Sequence, residues 1–403
     1  MDKNAPMIAL QEAFSLLDET LDGFRPPTET LPVPEAQGRV LHADQKSRLD
    51  LPPFDKSAMD GYAVLAGDER DEYRLIEKIR AGKPGTRKLV EGTTVKVMTG
   101  AAVPAGTGRV IMQEQTEEDN DRVRVHKHGG PSHVCKQGED LKTGDVILKA
   151  GARLGALEIA NLVSSGITEV EVARQPRLSI ISTGDEIMDD PGQIGPGKIM
   201  NSNGPMLAAL ASQHELPVTG QCVLRDDEEA THRGIHAALE ETDILVLSGG
   251  VSVGEFDFVL DSLSDAGLQI RFSRLAVKPG KPTVFSWSGE KCAFGLPGNP
   301  VSAYLMFHLF VLRAVARMTG AQPPVREIRL RLNRDFSRRR IDRLEFVPAR
   351  LDNDGTISAV EFHGSAHLSA VLSADGFFQA PIGAAKLKAG DEVVFSPLPR
   401  IFR

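Results

Sequence analysis

The sequence predicts a multidomain α/β plus β protein: a central doubly wound, mainly parallel α/β domain, an inserted small β domain and a C-terminal β domain. Three observations carry this. A chain of 403 residues is too long for one ordinary core and implies two to four domains. Between residues 178 and 320 short apolar runs alternate with helical stretches, a pattern that needs crossover connections and gives a parallel sheet covered on both faces. On either side of that region the chain switches to short β-like runs punctuated by Gly and Pro.

Residues 7–21, "MIALQEAFSLLDETL", place apolar side chains at helical spacing and lead into a proline-rich strap, "FRPPTETLPVPEAQGRV". From about residue 52 to 145, runs such as "YAVLAG" and "TTVKVMTGAAVPAGTGRVIMQEQ" read as a small β domain without a long helix. The segment "LGALEIANLVSSGITEVEVARQP" then supplies a helix and a strand that rejoin the N-terminal piece, which makes the β domain an insertion. In the central region "LSIIST", "VTGQCVL", "ILVLS" and "KCAFGLP" are expected strands, with helices at 204–214, 228–241, 256–266 and 301–319. Alternation returns in "EIRLRLNRDF", with Ile328, Leu330 and Leu332 on one face, and "LDNDGTISAV" supplies a hairpin turn at Asp354 and Gly355. The expected domains are 1–50 with 146–176, 51–145, 177–323 and 324–403.

A formal charge of −8 excludes a general nucleic-acid or anionic-membrane surface, because both need clustered cations. Cys135, Cys222 and Cys292 are widely separated and form no Cys-x-x-Cys pair, so neither a disulfide framework nor a cysteine metal site is expected. The N-terminal "MDKNAPMIAL" has no long apolar run, so we expect no signal peptide or membrane span and a cytoplasmic protein.

Ligands of doubly wound sheets sit at the carboxyl ends of the strands. The four central strands run into Gly184, Asp185 and Glu186; into Arg225, Asp226 and Asp227; into Gly249, Gly250, Glu255 and Asp257; and into Gly298, Asn299, Pro300 and Ser302. Three acidic loops on one edge predict a shared hard cation such as Mg²⁺, although Asp226 and Asp227 read equally well as helix caps. Gly249 and Gly254 have the spacing of a G-x-x-x-x-G phosphate loop, but Glu255 and Phe256 stand where that motif needs Lys and Ser or Thr. Carboxylates beside such a loop repel a phosphate unless a divalent metal bridges them.

"LAVKPGKPTVF" sets Lys278 and Lys281 three apart around a Pro-Gly turn, which reads as an oxyanion clamp. In "GLPGNPVSAYLMF", Asn299 reads as an N-cap, Pro300 as the first helical residue and Ser302 as a first-turn residue, a start that also suits an anion. Spacing does not place Asp60, Thr99 or Asp140 on this site; they read equally as turn, strand and loop residues. Ser365 lies near His363 and His367, but with no G-x-S-x-G elbow and no matched acid a nucleophilic serine is rejected.

The set "FDKSAMDGYAV", "MTGAAVPAG", "STGDEI", "NSNGPML", "SGGVSVGEFDF", "KPGKPTVF" and "GLPGNPVSA" resembles the molybdopterin molybdenumtransferase family, the bacterial MoeA proteins and the E domain of gephyrin. The motifs run in the family's order from about residue 50 to the C-terminus. The resemblance implies that the central α/β domain is of the molybdopterin-binding type. It implies insertion of molybdate into adenylylated molybdopterin, with Mg²⁺-dependent cleavage of the phosphoanhydride and release of AMP, by an elongated four-domain homodimer. It further implies that Glu186, Asp226 and Asp257 serve the metal and the catalysis, joined by Asp60, Thr99 and Asp140 from the β domain across the dimer. Lys278, Lys281 and Ser302, with Gly249, Gly250, Ser252 and Asn299, would contact phosphate or molybdate, and Arg343 and Ser365 would add to them. Contact with the adenylyltransferase of the same pathway is also implied. The sequence departs from the family at "GTGRVIMQEQ", where Arg109 replaces an apolar residue. The adenylyltransferase itself and a gephyrin-like scaffold are the alternatives.

Overall fold

The computed structural model describes residues 6–250, 258–323 and 327–398. The chain divides into two compact units, one of Thr30–Gln37 and Leu41–Val172, the other of Met1–Glu29, Gly38–Val40 and Ala173–Arg403. The first helix, α1 (Leu10–Leu21), belongs to the larger unit: Leu10, Ala13, Leu17 and Leu21 recur at helical spacing and are buried in its main apolar cluster. The sequence reading had grouped this helix with residues 146–176.

The smaller unit carries a six-stranded sheet of β1 (Gly61–Leu65), β2 (Glu72–Ile79), β3 (Thr93–Val97), β4 (Thr107–Met112), β5 (Thr116–Asp119) and β6 (Arg122–Val125), in the order β4-β1-β3-β2-β6-β5. Only β2 and β3 run parallel; the other neighbours are antiparallel. Ala63, Ile79, Val95, Val97 and Val110 form its core. A second cluster joins Val33, Ala36 and Leu41 of the strap to Leu154, Leu162, Ile167, Val170 and Val172, around α2 (Ala156–Ser164). Strap and returning segment therefore share one core.

The larger unit alternates β7 (Leu178–Thr183), α3 (Asn203–Gln213), β8 (Val218–Leu224), α4 (Glu228–Glu241), β9 (Ile244–Ser248), α5 (Phe258–Asp265), β10 (Gln269–Phe272), β11 (Val277–Lys278), β12 (Val284–Trp287) and β13 (Cys292–Leu296). Its central sheet has the order β8-β7-β9-β13-β12-β10. The first four strands are parallel, and β12 runs antiparallel to both neighbours. β7, β9 and β13 are buried along their whole length, which is why they read as unbroken apolar runs. The sheet is thus mainly parallel, as expected, with β10 and β12 as strands that the sequence reading did not assign.

After β13, α6 (Pro300–Met306) passes through one π-helical turn (Phe307–Val311) into α7 (Leu312–Thr319). This stretch is long and apolar enough by composition to cross a membrane, with mean hydropathy 1.4, but 78% of it is buried inside the molecule. It is the core helix of the α/β layers.

The last sheet combines β14 (Ile328–Arg331), β15 (Leu344–Leu351), β16 (Ile357–Ala359), β17 (Gly376–Ala380) and β18 (Glu392–Pro397) with β11, in the order β11-β15-β17-β18-β14 and with β16 beside β15. The β15–β16 hairpin turns at Gly355, whose φ of +81° suits glycine and whose N–H donates to the Asp352 carbonyl at 3.0 Å. The expected apolar face of β14 holds only in part: Leu332 is buried and Leu330 half-buried, but Ile328 is exposed.

Candidate functional site

The carboxyl ends of β7, β8, β9 and β13 open into a cleft of about 1780 Å³, larger than the 300–1,000 Å³ range of ordinary small-molecule pockets. Ten sequence-predicted residues line it: Glu186, Asp226, Gly249, Gly250, Lys278, Lys281, Asn299, Ser302, Arg343 and Ser365. Ser252 and Asp257, with Glu255, lie outside the described residues. Asp60, Thr99 and Asp140 belong to the smaller unit. There Asp60 accepts hydrogen bonds from the Thr99 backbone N–H (2.6 Å) and hydroxyl (2.7 Å), which hold its carboxyl below the usual range. Asp140 is exposed, and its N–H donates to the Leu51 carbonyl. Arg109 sits on β4 opposite Val64, with one guanidinium nitrogen buried and unpartnered.

The acidic wall follows β7 and β8. The two readings of the acids after β8 separate: Asp227 accepts from the Ala230 N–H at 2.7 Å and caps α4, while Asp226 lines the cleft. Partial burial raises the Asp226 pKa; a backbone hydrogen bond at Asp185 opposes this, and the charges of Glu186 and Asp185 reinforce it. Crowded carboxylates of this kind suit a hard divalent cation, whose charge relieves their repulsion. Among the described residues no three metal-ligating side chains gather into a complete site. Glu186 and Asp226 are two carboxylates of the cleft that could hold such an ion.

The floor is the glycine turn after β9. Gly249 and Gly250 have φ of +94° and +63°, and a Cβ on either would come within 3.0 Å of Thr183 atoms, so side chains are excluded where the backbone passes the end of β7. Asn203, which the sequence reading passed over, ties this floor together. Its amide donates to the Ser248 hydroxyl and the Gly298 carbonyl, both at 2.7 Å, and so holds the ends of β9 and β13 to α3. Asn201 does similar work, accepting from the Ser182 hydroxyl and the Gly204 N–H, both at 3.0 Å.

The cationic wall comes from the β11–β12 connection and the last sheet. Lys278 pairs with Glu345 at 2.7 Å, whereas Lys281 has no acidic partner among the described residues. Arg343 donates to the Val277 carbonyl at 3.3 Å, and Arg339 also lines the cleft. At the start of α6, Asn299 occupies the N-cap position, but its side chain does not cap the helix; it donates to the Ser365 hydroxyl at 2.8 Å. The Ser365 carbonyl instead accepts from the Val301 N–H at 3.1 Å, so the Ser365 backbone serves the helix start. Ser302 is buried in the first turn. Glu345 had no sequence signal of its own, since its place beside Lys278 is set by strand pairing between distant parts of the chain.

Three family models match the chain: the MoeA N-terminal region (domain I and II) over residues 8–166, a probable molybdopterin binding domain over 179–317, and the MoeA C-terminal region (domain IV) over 329–398. The molybdopterin molybdenumtransferase of Staphylococcus epidermidis is 34% identical over 370 residues, covering 89% of this chain and 88% of that protein. The Staphylococcus aureus protein of the same name is 34% identical over 378 residues, covering 91% and 90%. The solved structure of the molybdopterin biosynthesis MoeA protein of Pyrococcus horikoshii superposes with a TM-score of 0.84 at 32% identity, over 98% of this chain and all of that one. A molybdenum cofactor biosynthesis protein of Pyrococcus furiosus shares the fold, with a TM-score of 0.61 at 20% identity, over 98% and 100% of the two chains. Full-length similarity of this degree, on top of a cleft lined by both carboxylates and cations, means that the chain belongs to the MoeA family of molybdopterin molybdenumtransferases.

Proposed function

We propose that this enzyme inserts molybdate into adenylylated molybdopterin, with divalent-cation-dependent cleavage of the phosphoanhydride and release of AMP. The observation that supports the reading is one cleft lined both by the carboxylates Glu186 and Asp226 and by the cations Lys278, Lys281 and Arg343. A tetrahedral dianion such as molybdate needs several convergent donors, and the two ammonium groups, the guanidinium and the Ser302 hydroxyl supply them. The glycine floor lets backbone approach a phosphate closely. Glu186 and Asp226, with Asp257, would hold Mg²⁺, which when bound neutralises charge on the phosphoanhydride. The chain's own donors orient the anhydride for in-line attack by a water oxygen at the molybdopterin-side phosphorus. The P–O bond to AMP breaks and AMP departs, while one molybdate oxygen leaves as water with the two dithiol protons as both sulfurs bind molybdenum. We extend the reading to a cytoplasmic homodimer of four-domain subunits in which Asp60, Thr99 and Asp140 complete the site across the dimer. Contact with the pathway's adenylyltransferase is part of the same reading.

The test is AMP release from adenylylated molybdopterin with molybdate and Mg²⁺. Wild type should release AMP, lose that activity on chelation, and fall about a hundredfold as Asp257→Ala. An unimpaired variant removes Asp257 from the mechanism. Consumption of ATP without AMP release from the adenylylated substrate overturns the reading in favour of an adenylyltransferase.

A further inference from the structure

The two lysines of the cationic wall are not equivalent. β11 pairs in parallel with β15 in a register that sets Lys278 directly beside Glu345. One Glu345 oxygen meets the Lys278 ammonium at 2.7 Å, and the other meets the Arg338 guanidinium at 3.3 Å. The Glu345 and Arg338 side chains are only 10% and 5% exposed, while that of Lys278 is 43% exposed. Arg338 is fixed by donating to the carbonyls of Ala384 and Arg343, each at 2.9 Å, and of Pro381. Of the three charged groups, only Lys278 combines a flexible stem with access to the cleft, so it is the one that can turn toward an incoming ligand.

We infer that Glu345 is the internal counter-anion of the oxyanion site, competing with the bound oxyanion for Lys278 and thereby keeping the site's grip weak enough to release its ligand. The inference rests on the oxyanion reading of the cleft given above. Glu345 acts through Lys278 and by its own field, and is a positioning residue. Replacing its charge leaves Lys278 without its counter-anion at the cleft and Arg338 uncompensated behind it, which strengthens attraction for an anion. A carboxylate that served only as structural ballast for Arg338 would behave oppositely, since a damaged site does not bind more tightly.

Isothermal titration of inorganic phosphate and of molybdate into the full-length protein tests this. Glu345→Gln should bind both anions about tenfold more tightly than wild type. Glu345→Asp keeps a charge for Arg338 but retracts it from Lys278 by one methylene, and should give a smaller gain of about threefold. In a Lys278→Ala background the gain from Glu345→Gln should fall below about threefold. Binding by folded Glu345→Gln no tighter than wild type overturns the inference, as does a full gain without Lys278. If Glu345→Gln does not fold, the Asp variant decides by the same criterion. A wild type that binds phosphate but not molybdate overturns the functional reading while the phosphate comparison still decides on Glu345; one that binds neither anion overturns both.

Discussion

Gly250 shows how tightly single residues define the cleft. At φ +63°, with Thr183 Oγ1 only 2.7 Å from where a Cβ would lie, it has neither the conformation nor the space for a side chain. Gly298 has no positive φ, and a Cβ there would make an ordinary 3.7 Å contact. Gly250→Ala should therefore cost about 1–3 kcal/mol in urea unfolding, whereas Gly298→Ala should cost well under 1 kcal/mol. Equal losses would show that backbone conformation is not what the turn requires. Residue identities at strand ends were legible in the sequence because the doubly wound pattern says where such ends gather, and six candidates that follow the central strands, Glu186, Asp226, Gly249, Gly250, Asn299 and Ser302, do line the cleft. Asn203 and Glu345 were not legible. The first works by tying α3 to the end of β9 and to the loop after β13, 45 and 95 residues away, and the second by a parallel register with β11. Neither relation leaves a local spacing to read.

Among the elements, the sheet of the smaller unit is cross-linked by one carboxylate. Glu118 on β5 accepts from Lys78 on β2 and Lys96 on β3, both at 2.7 Å, and from the Tyr62 hydroxyl on β1 at 2.6 Å. These partners, Lys78 foremost, lower its pKa to about 2. Because the folded value lies below the unfolded one, the stabilisation is complete above about pH 4.5 and is lost as pH falls toward 2. Glu118→Gln should flatten the acid limb of stability in that window by on the order of 1–2 kcal/mol, allowing for solvent screening, as followed by circular dichroism. An unchanged acid limb would rule the network out. At this scale the sequence revealed the buried parallel strands and most helices, with α4 matching its expected span of residues 228–241. It concealed β10 and β12, which are four residues each and lie in the antiparallel edge of an otherwise parallel sheet. Strands this short lack the long alternation that marks a strand.

For the whole molecule, two compact units with separate apolar clusters should unfold in more than one step. Calorimetry is expected to resolve two transitions, with molybdate raising the one that belongs to the cleft-bearing unit, because a ligand stabilises only what binds it. A single transition that molybdate moves as a whole would show that the units melt together. The fold class was readable at this level because length and the change of pattern along the chain constrain it; the assignment of α1 was not, since an amphipathic helix does not name the core it will cover. The stretch from Val277 to Trp287 belongs to two sheets, entering the last sheet as β11, which ends on Lys278, and the central sheet as β12, with Lys281 in the connection between them. The spacing of the two ammonium groups is therefore a gauge of how those sheets sit against each other. A slide of one past the other would open or close the grip on an oxyanion like the jaws of a caliper, with no change in the lysines themselves.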